Sequence, residues 1–421
     1  MKRTSRDIRV ANRFEVLRHI IAAGTVARQE IAVETGLSLA TVSNLVAELI
    51  QVGLLEEVGF QDSGGGRPRG LVSVPRGGGV LAGVDVAETY VHVELFDTGL
   101  NVLASVEEPL HPQERKPEQV VGHVVSSLRT AGRQAGVDLD RALGVGVSVP
   151  GQVDPDGGVS VFAPNWDWHD VPLRDQLAAE LHLPLYLDNP LRAGVVAELW
   201  FGAGRGRDDV AVLTLGTGVG AGLAFHGMLY RGATNSAGEW GHTTLVMDGR
   251  LCRCGSRGCV EAYVGAPGIM AQLQELAPDS PLLHPDDQTA TIDALAGAYR
   301  ADDPVAVAVV AETARYLAVA IADLINLANP EVVVLSSWVA ARLGEPLLAE
   351  ARVLLSRYAL SRPLANTEIT LCKIGGNPVS LGAATFALEG YLSAIGTGAG
   401  ALRSAVPAPK ASPVPGGTPS R

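Results

Sequence analysis

The chain has 421 residues, 47% of them hydrophobic, and a formal net charge of −12. This length allows two or three domains with ample core, and the negative charge argues against a protein that binds polyanions along its whole surface. The sequence lacks an unbroken apolar run of membrane length, and no apolar segment follows its basic amino terminus. We therefore expect a cytoplasmic protein without a membrane partner.

The charge is distributed unevenly along the chain. Residues 1–78 hold ten Lys/Arg against eight Asp/Glu, a balance of +2 that leaves −14 for the remainder. A locally basic head on an acidic body is typical of a small DNA-binding module attached to a larger sensor. The first basic residues would either contact DNA phosphates or form a disordered tail; they are Lys2, Arg3, Arg6, Arg9 and Arg13.

Residues 13–52 have the pattern of three short helices. Apolar residues recur at helical spacing after Phe14, a second helix is predicted at 28–35, and Ser38 can cap a third helix that ends before Gly53. This order predicts a helix-turn-helix whose third helix enters the major groove by its N-terminal end. Three amphipathic helices could instead form a dimerisation module. The candidate DNA contacts on the third helix are Ser38, Thr41, Ser43 and Asn44.

A hairpin pattern follows these helices. Strand-like runs at 54–58 and 71–74 flank a glycine-rich loop that carries Arg67 and Arg69. Such a hairpin after a helix-turn-helix is a wing, and its two arginines could enter a narrow minor groove. The alternative is a flexible solvated loop. We predict that residues 1–76 form a winged helix-turn-helix DNA-binding domain and that 77–80 are a linker.

From residue 81 onward, strand patterns alternate with helical ones, which indicates α/β layers. A strand and glycine-rich loop at 211–220 repeat the theme that begins at residue 81, so we expect a duplicated architecture with a cleft between its halves. A long apolar helix is predicted at 305–328. Residues 396–421 are rich in Pro, Ala, Gly and Ser and are predicted to be a disordered tail.

Three of the four cysteines lie within eight positions. They are Cys252, Cys254 and Cys259, and His242 stands ten residues before the first of them. Thiolates and a neutral imidazole satisfy a tetrahedral Zn²⁺, so these four residues predict a closed structural zinc site. The alternatives are four unrelated buried residues, or a disulfide in a secreted protein.

The segment 239–261 also carries a resemblance. Glu-x-Gly-His followed by Cys-x-Cys-Gly-x-x-Gly-Cys-x-Glu resembles the signature of the ROK family, which groups sugar kinases with sugar-responsive transcriptional repressors. Similarity to the regulators of that family extends from about residue 12 to residue 395. The resemblance implies an actin-like, ribonuclease-H-like sensor at 81–395, and it implies that the wing with Arg67 and Arg69 binds DNA.

The resemblance further implies a set of sugar contacts, with Trp166 available to stack on a pyranose face. Pro190 stands where the kinases of the family have an aspartate, so one hydrogen-bond acceptor is missing. That loss weakens the site, redirects it to another sugar, or leaves a vestigial pocket. The implied sugar contacts are Asn165, Asn189, Glu239, His242 and Glu261.

The nucleotide loops that the resemblance implies depart from the kinase pattern. Asp85 is followed by Val-Ala-Glu-Thr instead of paired glycines, Asp188-Asn-Pro replaces the catalytic Asn-Asp pair, and Ser-Ser-Trp at 336–338 replaces a third glycine-rich loop. The glycines of the loop at 216–220 are retained. Because phosphoryl transfer needs both phosphate-binding loops and a catalytic carboxylate, we expect no kinase activity.

These observations predict a DNA-binding regulator, expected to be a repressor of carbohydrate metabolism genes. Its partners would be a double-stranded DNA operator, a sugar or sugar-phosphate effector, Zn²⁺, and a second copy of the chain, since two-fold operators need two heads. Three alternatives remain open at this point. They are an ATP-dependent sugar kinase, a regulator controlled by a protein partner, and a regulator that senses no ligand.

Overall fold

The computed structural model describes residues 5–61, 69–75, 77–163 and 165–395. Its first part contains three helices, α1 Ser5–Ala23, α2 Arg28–Thr35 and α3 Leu39–Gln51. The cap predicted for α3 is present, because the Ser38 hydroxyl accepts the backbone N–H of Thr41 at 3.1 Å. The helices share a buried apolar core to which Leu17 and Ile31 contribute.

A small antiparallel sheet completes this head. Its strands are β1 Thr25–Ala27, β2 Glu56–Gln61 and β3 Arg69–Ser73, in the order β1-β3-β2. The β2–β3 hairpin is the predicted wing. Strand β2 begins two residues later than the apolar pattern indicates, because Leu54 and Leu55 are buried and donate their backbone N–H groups to the Leu49 carbonyl of α3. The tip of the wing lies outside the described residues.

The first lobe of the body is a five-stranded sheet with helices and a small accessory sheet. The five strands stand in the order β11-β7-β4-β5-β6, and β8, β9 and β10 form the accessory sheet. The elements are β4 Val80–Val86, β5 Tyr90–Asp97, β6 Val102–Pro109, α4 Pro117–Ala135, β7 Gly144–Ser148, β8 Gln152–Asp154, β9 Val159–Ala163, β10 Trp168–Val171, α5 Leu173–Glu180 and β11 Leu185–Asp188.

The second lobe is a second five-stranded sheet, in the order β14-β13-β12-β15-β16, covered by helices. Its elements, with the helices that join the lobes, are α6 Pro190–Phe201, β12 Val210–Leu215, β13 Val219–Phe225, β14 Met228–Leu229, α7 Glu261–Val264, α8 Ala266–Leu276, α9 Gln288–Arg300, α10 Pro304–Ala328, β15 Val332–Ser336, α11 Trp338–Leu355, α12 Ser361–Asn366, β16 Glu368–Leu371 and α13 Pro378–Ala394.

The two large sheets have the same topology. In the first, β4 pairs antiparallel with β5 and parallel with β7. In the second, β12 pairs antiparallel with β13 and parallel with β15. This repetition confirms the predicted duplication, and it is the actin-like arrangement of two related lobes. The loops that leave β4, β11, β12 and β15 carry residues to which the resemblance assigns nucleotide or sugar binding.

Helix α13 returns from the second lobe to pack on the first. It lies across β4 and β7 and beside α6. The approach is so close that a Cβ on Gly146 would lie 1.7 Å from the carbonyl oxygen of Ala383, so only glycine is compatible with this contact. Helices α6 and α13 are therefore fixed to each other and to the first sheet.

The head is attached to the body at these two helices. Phe14 of α1 packs edge-to-face on Trp200 of α6, with ring centroids 6.3 Å apart, and Arg18 donates a hydrogen bond to the Leu199 carbonyl. Arg13 is buried and donates to two carbonyls at the end of α13 and to Glu48 of α3. The prediction that Arg13 contacts DNA phosphates is therefore wrong, because its guanidinium group is buried and hydrogen-bonded within this interface.

Helix α10 is the predicted long apolar helix. Its 25 residues are long and apolar enough to cross a membrane by length and composition. More than half of its apolar stretch is buried inside the protein, and α10 packs on α8, α9 and α11. The helix is thus part of the core of the second lobe, which accounts for its apolar composition.

Candidate functional site

The predicted metal ligands converge in the loop between β14 and α7. Each of His242, Cys252, Cys254 and Cys259 offers one ligand atom, and these atoms all lie within 4.8 Å of one another. The Sγ atoms of Cys254 and Cys259 are 3.8 Å apart, and Nδ1 of His242 is 3.7 Å from Sγ of Cys252. Cys372, the fourth cysteine, follows β16 and is not part of this cluster.

This geometry fits a tetrahedral metal ion. Zn–S bonds of about 2.3 Å at tetrahedral angles place two sulfurs roughly 3.8 Å apart. Burial raises the pKa of the Cys252 thiol to about 12, and a bound cation would favour the thiolate instead. The four residues can therefore hold a metal ion.

His242 joins the metal cluster to the cleft between the lobes. Its Nδ1 faces the cysteines, whereas its Nε2 is 3.9 Å from the Glu239 carboxylate. Glu261 begins α7 on the other side of the cluster, where its Oε2 accepts the backbone N–H of Val219 at 3.0 Å. Desolvation raises the pKa of Glu239, and the nearby Glu261 carboxylate adds to the increase. The three predicted sugar contacts of this edge are thus close together.

The other lobe contributes Asn165 to the same region. The Asn165 side-chain amide donates to Oε1 of Glu88 at 2.5 Å, and Oε2 of Glu88 lies 3.4 Å from the Arg253 guanidinium. Arg253 stands between the first two cysteines of the metal cluster. The sequence pattern did not single it out, although its place between two ligands was the available signal. It also donates to the carbonyl of Thr217.

Asn189 and Asp188 occupy the end of β11. Asn189 is buried and caps α6, since its Oδ1 accepts the backbone N–H of Arg192 at 3.1 Å. Pro190 takes the first helical position, where its missing N–H costs nothing. The Asp188 carboxylate is buried between two guanidinium groups, 2.7 Å from Arg192 and 2.6 Å from Arg231. Asp188 is therefore a neutralised structural acid.

Trp166 does not lie where the resemblance implies a stacking surface. It is 8% exposed, and its ring centroid is 4.8 Å from that of Trp168. Both rings belong to the apolar core of the first lobe. The prediction that Trp166 stacks on a sugar is therefore wrong, because its ring faces are covered by protein.

The first implied nucleotide loop is closed by side chains. Asp85 is 4% exposed, and its Oδ2 accepts hydrogen bonds from the Tyr90 hydroxyl at 3.1 Å and from Asn377 at 2.9 Å. Burial raises the pKa of Asp85, although the hydrogen bonds from Asn377 and Tyr90 act to lower it. Asn377 is also the N-cap of α13. The aspartate thus anchors a helix instead of facing an open phosphate loop.

The third implied loop has a glycine-like backbone conformation at a residue that is not glycine. Ser337 has φ 81° and ψ 176°, a conformation that belongs essentially to glycine. A Cβ added to Gly216 would lie 3.1 Å from Ser337 Oγ and 3.1 Å from the indole nitrogen of Trp338. The retained glycine loop at 216–220 is therefore faced by two side chains.

The candidate DNA contacts lie on one end of α3 and on the wing. Ser38 and Asn44 are exposed, while Thr41 and Ser43 are partly exposed. The hydroxyls of Ser38 and Thr41 are 2.8 Å apart, so both are close to the helix N-terminus. Arg69 is exposed at the start of β3. Arg67 lies outside the described residues.

Comparisons with known proteins agree with this architecture. The ROK family model matches residues 81–389, and the IclR helix-turn-helix domain model matches residues 10–59. The xylose repressor of Caldicellulosiruptor bescii is 29% identical over 386 residues, which are 91% of this chain and 96% of that protein. The glucokinase of Thermotoga maritima is 32% identical over 73% of this chain and 97% of its own length.

A solved structure resembles the chain over both parts. The ROK family transcriptional regulator described as a homolog of the E. coli MLC protein has a TM-score of 0.76 and 23% identity, and the match covers 92% of this chain and 98% of that one. At this identity the likeness establishes the fold, including the order of head and body. Because the family model spans most of the chain, this protein belongs to the ROK family.

Proposed function

We propose that this ROK protein is a cytoplasmic, sugar-responsive transcriptional repressor of carbohydrate metabolism genes. The observation that carries the proposal is that a helix-turn-helix is joined to a ROK body. In that body three candidate sugar contacts, Glu239, His242 and Glu261, lie close together, while side chains occupy the implied nucleotide loops. The similarity to a xylose repressor over 91% of the chain supports the same function. We assign residues 1–76 to the DNA-binding domain, 77–80 to the linker, 81–395 to the sensor and 396–421 to a tail.

In this proposal, α3 reads the operator in the major groove. Asn44 is exposed and can contact a base edge, and the hydroxyls of Ser38, Thr41 and Ser43 surround the same end of the helix. A helix N-terminus also favours a phosphate. Arg69 extends this surface along the wing, and we assign the same role to Arg67 from the sequence. A two-fold operator would be bound by a homodimer.

The sugar binds in the cleft between the lobes. Carboxylates and amides accept hydroxyl protons and reject ligands that cannot donate them. Two of the acids, Glu239 and Glu261, stand on either side of the metal cluster. The proposed contacts are Asn165, Asn189, Glu239, His242 and Glu261.

Zn²⁺ is the ion that this cluster suits best, because three thiolates and an imidazole form a closed structural set. Bound there, the ion supplies a rigid cross-link for the loop. His242 would be the ligand through Nδ1, which leaves Nε2 directed to Glu239 and the cleft. An imidazole whose second nitrogen is held by a carboxylate has a fixed tautomer and orientation. The metal site would therefore position one edge of the sugar pocket.

The geometry also argues against phosphotransfer. Asp188 cannot act as a catalytic base while two arginines hold its carboxylate, and Glu88 brings negative charge to the first phosphate loop. Asp85 anchors α13, and Trp338 stands against the third glycine loop. Each of these features alone could be compensated. Together they leave no described set of residues that combines a phosphate cradle with a free base.

Two helices offer a route from the cleft to the DNA. Helix α6 begins at Asn189 in the sugar region and ends against Phe14 of the head. Arg192, in the first turn of α6, also donates to the carbonyl of Asn235, four residues before Glu239. A sugar that draws Glu239 and Asn189 together would therefore move α6, and the head with it. A sugar that binds one arrangement of α6 and the head more tightly than another changes the affinity for the operator.

The proposal is tested by measuring operator affinity with and without sugar. A binding duplex is selected from random-sequence DNA with the full-length, zinc-replete protein, and its affinity is followed by fluorescence anisotropy. D-xylose or D-glucose at millimolar concentration should weaken binding by about 5- to 150-fold, the usual range of allosteric coupling. Asn44→Ala should cost about 1–3 kcal/mol, whereas Arg357→Ala, an exposed residue beyond α11, should cost nothing.

Each alternative predicts a different result. If selection enriches no duplex, the head is not a DNA-binding module. If a duplex is bound but neither sugar alters the affinity of the protein for it, the result favours a regulator controlled by a protein partner or by no ligand. Transfer of labelled phosphate from ATP to either sugar would restore the kinase assignment.

A further inference from the structure

Glu88 is the acidic side chain that stands between the two lobes of the cleft. It follows β4 in the first lobe, and the backbone there is fixed by Arg115, which donates to the Glu88 carbonyl at 3.1 Å. Its side chain is 17% exposed. Oε1 accepts the Asn165 amide at 2.5 Å, and Oε2 lies 3.4 Å from Arg253 of the metal loop. The carboxylate therefore contacts both sides of the proposed sugar pocket.

Its neighbours are themselves neighbours of the sugar contacts. Arg253, besides pairing with Glu88, lies 3.6 Å from Oε1 of Glu261. Asn165 is one of the proposed sugar contacts, so Glu88 touches one of them directly and reaches a second through Arg253. An ionised carboxylate has about four acceptor positions. Two are used here, and the others are available to hydroxyl groups of a ligand.

The charge of this region is unfavourable for an anion. The carboxylates of Glu88 and Glu261 share the guanidinium of Arg253. A third carboxylate, that of Glu239, lies 3.9 Å from His242 of the same loop. The nearby Arg192 and Arg231 are engaged by Asp188. A phosphate would have to displace these pairs and accept repulsion from the acids, whereas sugar hydroxyls can donate to the same oxygens without this cost.

We propose that Glu88 is a specificity-determining residue of the sensor, which selects a neutral sugar over its phosphate ester. Glu88 supplies a hydroxyl acceptor beside Asn165 and Arg253, and its charge excludes phosphate from the adjoining space. This inference rests on the proposed function, since it concerns the ligand of the same cleft. The position of Glu88 in an altered phosphate loop indicates only that it repels phosphate. The inference adds that Glu88 binds the sugar.

The test compares the affinities of full-length, zinc-replete protein for D-xylose, D-glucose and D-glucose 6-phosphate by isothermal titration calorimetry. The wild-type protein should bind at least one neutral sugar and bind the phosphate ester at least tenfold more weakly. Glu88→Gln keeps the size of the side chain and removes its charge. It should weaken the binding of the neutral sugar by about tenfold to a hundredfold, as expected for the loss of a charged hydrogen bond. It should also reduce the ratio between the affinities for the neutral sugar and for the phosphate ester.

The matched control is Glu180→Gln, at the exposed end of α5 in the same lobe, which should leave every affinity unchanged. If Glu88→Gln weakens both classes of ligand by the same factor, Glu88 only supports the lobe contact and the inference is wrong. If the wild-type protein prefers the ester, the inference is wrong while the sugar sensor survives. If none of the three ligands binds, the proposed function itself fails.

Discussion

Two regions of the cleft have diverged in opposite ways. Around the metal cluster, three of the proposed sugar contacts, His242, Glu239 and Glu261, lie within one small area. Around the implied nucleotide loops the strands of the fold are present, but side chains occupy the loops. Asp85 is tied to α13, and Trp338 faces Gly216.

Under the proposed function, the difference indicates which parts of this ROK fold depend on ligand chemistry. Backbone geometry persists in both regions, because the sheets from which the loops emerge are built from the same strands. The first region has the side chains that the proposed sugar and metal ion would require. In the second region, where the proposed function needs no phosphate site, Asp85 has partners within the protein and a structural role.

The largest effect is expected at the metal cluster. Cys254→Ser removes one of four ligands, so the metal content, measured by plasma mass spectrometry, should fall well below one ion per chain. Structural zinc contributes about 10–16 kcal/mol of binding free energy to the folding of isolated zinc-finger peptides. Without the metal the loop should lose its order, and sugar should no longer change the affinity for DNA. Cys372→Ser, outside the cluster, should retain the metal. A Cys254→Ser protein that has lost its metal but keeps the full sugar response would separate the metal from the sensor.

The second effect lies in the region of the implied nucleotide loops. Asp188→Asn leaves Arg192 and Arg231 without the carboxylate that they share in the protein interior. Breaking a buried ion pair costs about 3–5 kcal/mol, so the urea midpoint should fall strongly. Glu312→Gln breaks the exposed pair with Arg315 and should cost about 1 kcal/mol or less. A change under 1 kcal/mol for Asp188→Asn would mean that its carboxylate is not a structural acid.

The smallest effect is a gain of stability. Ser337 holds a glycine conformation at φ 81°, and such strain costs about 1–3 kcal/mol. Ser337→Gly relieves it, and after the entropy cost of glycine we expect about 1 kcal/mol of added stability. Ser356→Gly, at φ −62°, should instead destabilise by about 0.5–1 kcal/mol. If Ser337→Gly is also destabilising, the loop is not strained.

Much of this architecture could be predicted from local patterns. The helix predicted at 28–35 is α2 Arg28–Thr35, and it ends where Gly36 adopts a left-handed conformation at φ 66°. The Ser38 cap and the repeated strand-and-loop starts also followed from residues near one another in sequence. The convergence of the metal ligands was predictable because thiolates at such spacing have few other uses.

What escaped prediction depends on contacts between distant residues. Asn377 and Asp85 are 292 positions apart, and Arg13 meets carbonyls at the far end of the chain. The burial of Trp166 results from the packing of the accessory sheet, which no periodicity reveals. Glu88 was recognised as a departure from the phosphate loop, but its contacts with Asn165 and Arg253 became visible only when the lobes were brought together.

The contact between the head and helices α6 and α13 has a consequence for dissection of the protein. Residues of the head and of these helices belong to one continuous apolar cluster, to which Leu17, Trp200 and Leu392 contribute. A fragment cut near residue 76 would expose this surface on both products, so each half should aggregate when expressed alone. A chimera that exchanges heads between relatives would likewise need matching partners for Phe14 and Arg18. The modularity visible in the sequence therefore does not extend to the folded chain.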